Sequence, residues 1–173
     1  MSLHVVLFQP EIPQNTGNIM RTCAATHATL HLIEPLGFSL SEKSLKRYGV
    51  NYLEHVDYHR YPNYESFLEQ TNAKRLIFLT RYGFKRPDQV DLGHHEDDLY
   101  LVFGRESTGI PKSILKHHLD TCVRLPMSEQ VRSLNLANTV CTIIYEAHRQ
   151  NNYQGLSLFE PEELKGPDWL LQD

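Results

Sequence analysis

Leu99-Tyr100-Leu101-Val102-Phe103-Gly104-Arg105-Glu106-Ser107-Thr108-Gly109-Ile110-Pro111 carries the pattern that decides the fold. Five apolar residues in a row, with no polar alternation, describe a strand covered on both faces, as strands of parallel sheets are. The polar, glycine-bearing loop after it, closed by Pro111 at a first helical position, describes a strand-to-helix connection. Working outward, further strand-like runs fall at 5–9, 30–34, 53–56, 76–80 and 122–125. Helical patterns lie between them at 18–27, 42–48, 64–70, 112–117 and 135–150. This alternation predicts an α/β domain whose sheet is mostly parallel and flanked by helices. In the last helix Leu136, Val140, Ile143, Ile144 and Ala147 form one apolar stripe, which must pack on the sheet or on a second subunit.

The chain has 173 residues, enough for a single domain with a full core. With 22% charged and 40% hydrophobic residues, its composition is that of a globular protein rather than a disordered one. No apolar run approaches the ~20 residues of a membrane span. The start, Met1-Ser2-Leu3-His4, lacks a basic region, and Val5-Val6-Leu7-Phe8 is too short for a signal peptide. The scattered thiols Cys23, Cys122 and Cys141 suit a reducing compartment, so a cytoplasmic protein is expected. A net charge of −4 argues against a general nucleic-acid coat, but not against a local basic patch. From Leu156 onward the chain turns acidic and proline-bearing, as a surface tail would.

Familiar chemical signatures are missing. There is no G-x-G-x-x-G after the first strand, no P-loop and no G-x-S-x-G. His55 and His59 are spaced for a helix but sit in a strand-and-turn pattern, and the pairs His94-His95 and His117-His118 point apart, so no metal site is expected. Three polar loops remain. The first runs Pro13-Gln14-Asn15-Thr16-Gly17-Asn18-Ile19-Met20-Arg21, the second is the loop quoted above, and the third is Arg124-Leu125-Pro126-Met127 followed by Val131-Arg132-Ser133-Leu134-Asn135-Leu136-Ala137-Asn138. Singly, each reads most simply as a cap or turn, with Asn15 capping the first helix and Ser133 or Asn135 the last.

As an ordered set, N-x-G-N-x-x-R, F-G-x-E-x-x-G-I-P and R-L-P-M…S-L-N-L-A-N resemble the three motifs of the SPOUT superfamily of RNA methyltransferases, in its ribose 2′-O-methylating branch. Glu11-Ile12-Pro13-Gln14, Leu32-Ile33-Glu34-Pro35-Leu36-Gly37-Phe38 and Tyr145-Glu146-Ala147-His148-Arg149-Gln150 look like the minimal tRNA (cytidine(34)-2′-O)-methyltransferases of the TrmL/YibK type. The likeness covers about residues 3–156, so one domain over 1–156 and a tail over 157–173 are expected. The resemblance implies a C-terminal trefoil knot, a homodimer, S-adenosylmethionine as cofactor and tRNA as substrate. It places Leu79, Gly104, Leu125, Met127 and Ser133 at the cofactor. It makes Arg21 the residue acting near the 2′-hydroxyl, held with the ribose by Asn15, Glu106, Ser133 and Asn135, with Glu106 as the charged partner of Arg21. A guanidinium is almost never neutral, so alkoxide stabilisation or a phosphate clamp suits Arg21 better than a base role. Lys43, Lys46 and Arg47, next to Tyr48 and Tyr52, form a candidate RNA contact. The competing readings are the same chemistry on another tRNA or rRNA position, and a non-catalytic RNA-binding module.

Overall fold

The computed structural model describes residues 2–40, 55–93 and 96–172. The helix expected at 42–48, the start of the strand expected at 53–56, His94-His95 and the Lys43, Lys46, Arg47, Tyr48, Tyr52 group lie outside the described residues.

Strand β1 (Leu3–Phe8) explains why the apolar runs do not alternate. Leu3, Val5 and Leu7 face one core while Val6 and Phe8 face another, so both sides of the strand are buried. The same division holds along β2 (Thr29–Ile33), β4 (Arg75–Leu79) and β5 (Leu99–Phe103). With β3 (Tyr58–Tyr61) and β6 (Cys122–Val123) they form one sheet in the order β3-β2-β1-β5-β4-β6, parallel at every pairing.

β5 has the expected bounds, and the other apolar runs shift by a residue or two. The strand expected at 53–56 is the exception. The edge strand of this sheet is Tyr58-His59-Arg60-Tyr61, in which Tyr61 alone is fully buried, so it has no apolar run to betray it.

Helices α1 (Pro13–Thr26) and α4 (Leu136–Gln150) pack together on the first core. Helix α2 (Tyr64–Thr71) and the short α3 (Lys112–Leu115) cover the second. Pro111 stands just before the first residue of α3 rather than within it. The stripe on α4 is consumed inside the chain: Val140, Ile143, Ile144 and Ala147 are all buried, each full burial of a Val or Ile contributing about 1.5–3 kcal/mol. That stripe therefore gives no argument for a second subunit.

Helix α1 starts earlier than its apolar pattern suggests, with Pro13 at its first position and Ile12 before it. Proline suits that place, because its fixed φ is helical and the missing N–H would be unpaired anyway. Asn15 is thus inside the helix and buried rather than its cap, and α1 has no side-chain cap of its own.

The second core holds a polar row. His4 Nδ1 lies 2.9 Å from His31 Nε2, and His31 Nδ1 lies 2.8 Å from the Tyr61 hydroxyl. At the other end His4 Nε2 is 3.7 Å from an Asp98 oxygen. The two ring contacts and the Tyr61 hydroxyl thus form one continuous polar row that runs toward Asp98. Burial pushes His31 down to about 3; it also lowers His4, against the pull of Asp98.

Candidate active site

In a parallel sheet all carboxyl ends share one edge, so the loops after β1, β4, β5 and β6 converge there. Ligands of open α/β sheets bind at that edge, near the point where strand order reverses, here between β1 and β5. The three motif loops meet at this edge through one hydrogen-bonded chain.

Glu106, from the loop after β5, accepts from the backbone N–H of Glu11 at 2.9 Å and of Ile12 at 3.3 Å. It also accepts from Asn15 Nδ2 at 3.0 Å. Its negative charge sits at the positive end of α1 and supplies the cap that the helix's own sequence lacks. Asn15 Oδ1 in turn accepts from Asn135 Nδ2 at 2.9 Å. Asn135 caps α4, its Oδ1 accepting from the N–H groups of Ala137 and Asn138. A reciprocal clasp returns across the same gap: the Glu11 carboxylate accepts from the backbone N–H of Ser107 at 2.9 Å and its hydroxyl at 2.8 Å. These two bonds hold the Glu11 carboxyl below the usual carboxylate range.

Gly104 is also required by the path of its own loop. The chain doubles back between Arg105 and Gly109, which bond to each other in both directions, with Gly109 at φ 74°. A Cβ on Gly104 would run into the backbone of Gly109 and Ile110. The missing side chain makes room for the loop itself.

Beside this network lies a cleft of about 610 Å³, within the range of small-ligand sites. Leu79, Gly104, Leu125, Met127 and Ser133 all line it, together with Asn15, Glu106 and Asn135. Arg21 does not. It lies exposed on α1, and the expected Glu106–Arg21 pair is replaced by the backbone and amide contacts of Glu106. Asn15 is the link of this network, donating to Glu106 and accepting from Asn135.

Two lining residues, Arg81 and Tyr82, belong to none of the three motifs, and Arg105, Arg124 and Arg132, inside the motif loops, were given no site role from the sequence. An alternation of aromatic and basic residues at 81–86 was the clue available in the sequence. Of the histidines, His59 pairs with Asp57 and stacks on His31, while His118 stacks on Phe78. Among the described residues no group of three or more His, Cys, Asp or Glu side chains could hold a metal ion. Nor is any helix among them long and apolar enough to cross a membrane.

Residues 2–145 match the SpoU rRNA Methylase family. A protein of Geobacillus stearothermophilus, named as a candidate tRNA (cytidine(34)-2′-O)-methyltransferase, is 48% identical over 157 residues, 91% of this chain and 100% of its own. A structure concerned with 2-OH methylation of C/U34 on tRNA superposes with a TM-score of 0.78 at 43% identity, covering 86% of this chain and 95% of its own. The SpoU methyltransferase AviRb of Streptomyces viridochromogenes, solved with the cofactor AdoMet, gives 0.74 at 25% identity, covering 86% of this chain and 60% of that longer one.

Proposed function

We propose that this chain, which belongs to the SpoU rRNA Methylase family, is an S-adenosylmethionine-dependent enzyme that methylates the ribose 2′-hydroxyl of the wobble cytidine or uridine, nucleotide 34, of tRNA. The observation that carries this reading is the Asn135–Asn15–Glu106 chain, which ties the three motif loops together around one cleft of cofactor size. The names borne by the similar proteins support the substrate.

When bound, S-adenosylmethionine supplies a methyl group already activated on a sulfonium. The chain's own task is then to position the ribose and manage one proton. Leu79, Gly104, Leu125, Met127 and Ser133 form the cofactor's walls. Asn15, Glu106 and Asn135 act as positioning residues, since their polar atoms are engaged with one another and with backbone. Glu106 accepts three N–H groups, so its carboxylate is engaged in holding the loops together. Ser133 is exposed in the cleft and free of that network, so it is the motif residue best placed to meet the ribose. Arg21, exposed and outside the cleft wall, suits a clamp on the RNA phosphate beside the reacting ribose.

The reading extends to the assembly. Ile12, Val131 and Leu134 stay 42%, 50% and 45% exposed beside the motif loops, apolar surface that a second copy would cover in a homodimer. The chain enters β6 beside β4, runs on through 124–135 and returns to pack α4 on α1, a path compatible with the family's trefoil knot. Free Cys23, Cys122 and Cys141 suit the cytoplasm. Residues 1–156 form the catalytic domain, and 157–173, with Leu158, Phe159, Leu164, Leu170 and Leu171 all exposed, form a tail outside it.

The deciding experiment maps 2′-O-methyl groups in tRNA and rRNA with and without the protein. A site at nucleotide 34 that depends on the chain supports the reading, a site elsewhere moves the substrate, and no site at all leaves an RNA-binding module. Arg21→Ala is expected to keep S-adenosylmethionine affinity while lowering kcat/KM for tRNA by roughly 10- to 10²-fold, mostly through KM, as loss of one charge-assisted phosphate contact would. Lost cofactor affinity in a folded protein would move Arg21 into the cofactor pocket.

A further inference from the structure

The loop after β4, Arg81-Tyr82-Gly83-Phe84-Lys85-Arg86, belongs to none of the three motifs and is held unusually firmly. Thr80 N–H donates to the Val123 carbonyl at 2.9 Å, and Arg124 N–H to the Lys85 carbonyl at 2.9 Å. Arg124 Nη1 donates to the Arg81 carbonyl at 2.6 Å. Gly83 lies so close to β6 that a Cβ there would stand 2.5 Å from the Val123 carbonyl carbon. Sewn down in this way, the loop turns two large rings to solvent: Tyr82 is 65% exposed and Phe84 is 84% exposed.

The charges around these rings are one-sided. Arg81, Arg105, Arg124 and Arg132 line the adjoining cleft, and Glu106 is the one carboxylate among its lining residues, in a chain whose net charge is −4. Arg81 lies over the Tyr82 ring at 4.8 Å. Lys85 and Arg86 are occupied otherwise, by the Asp120 carbonyl and the Asp88 carboxylate.

Resting on the reading of the chain as an RNA methyltransferase, we propose that this loop is a stacking platform for single-stranded RNA. Tyr82 and Phe84 take the faces of unpaired bases, and the exposed Arg81 meets the phosphates between them, while Arg124 holds the loop in place. Exposed aromatics beside arginines bind single strands because every base has a face to stack, whereas a duplex keeps those faces inside. The platform thus selects an unpaired loop and leads it to the cleft. Adenine of the cofactor is not the occupant of Phe84, which does not line the cleft.

The test measures anisotropy of a labelled oligo(A) RNA and of a blunt RNA duplex, beside S-adenosylmethionine affinity by calorimetry. Tyr82→Ala and Phe84→Ala should each weaken oligo(A) binding by roughly tenfold, with Phe84→Trp restoring it. Duplex binding should not change in either variant, nor cofactor affinity in Phe84→Ala. Unchanged oligo(A) affinity in both variants, or a wild type that binds no oligo(A), overturns the platform. Methyl transfer to tRNA by the wild type tests the underlying reading separately. Turnover with unaffected oligo(A) binding in the variants sinks the platform alone. Variants that lose oligo(A) in a protein that methylates no tRNA keep the platform and sink the substrate. If Phe84→Ala keeps its RNA affinity but sediments as a smaller species, the ring covers a subunit interface and the platform is wrong.

Discussion

A methyl group added at Gly104 would collide with main chain rather than with a movable side chain, so the motif loop has to give way. Gly104→Ala is expected to lower stability by about 1–3 kcal/mol, the usual cost of overpacking. Because the displaced loop lines the cleft, S-adenosylmethionine affinity should fall with it; urea unfolding and calorimetry on one sample measure both. Glu106 shows where residue-by-residue reading runs out. Its charge and its place in the motif were legible, and Arg21 was the natural partner to expect from side chains alone. Its actual partners include the N–H groups of Glu11 and Ile12, and a backbone donor leaves no mark on the identity of the residue that carries it.

Among the elements, α4 has the most to lose at its first turn. Asn135→Ala removes the cap and should cost about 0.5–2 kcal/mol of stability, seen as a shifted urea midpoint. Asn135→Asp separates the two duties of this side chain. It keeps an oxygen for the N–H groups of Ala137 and Asn138 but turns a second oxygen toward Asn15 Oδ1, so it should recover stability without recovering methyl transfer. Full turnover in the Asp variant would show that the link to Asn15 is dispensable. The elements themselves were legible in proportion to their burial. β5, flanked by strands and covered on both faces, could be read to the residue. β3 sits at the edge with His59 and Arg60 exposed, and an edge needs no apolar code. The start of α1 was hidden because its cap arrives from Glu106, some 95 residues away in sequence.

For the molecule as a whole, the buried histidine row ties stability to pH. His31 is held neutral down to about 3 and His4 is lowered from 6.5, so the unfolded chain takes up protons that the folded chain refuses. Above about pH 6.5 the row costs nothing. Below it stability should fall by about 1.4 kcal/mol per pH unit for each such proton, until the pH nears the folded value. Urea midpoints between about pH 7.5 and pH 5 measure this slope, which His31→Leu should flatten while lowering stability at neutral pH. A slope unchanged by that substitution would place the acid sensitivity elsewhere. Sedimentation at micromolar concentration should show a dimer, and removal of residues 157–173 should leave both the dimer and cofactor affinity in place. The bond between Asn15 and Asn135 also sets a clock for biosynthesis. The two residues lie 120 positions apart, and at about 5–20 residues per second the ribosome needs about 6–24 s to travel from one to the other. Throughout that interval the nascent chain has Asn15 and, near its end, Glu106, yet no last helix to join them. A translation product that stops short of Asn135 would be able to form most of the sheet and no finished cleft. Truncated chains therefore lack this bond, and the full-length protein makes it only as α4 docks.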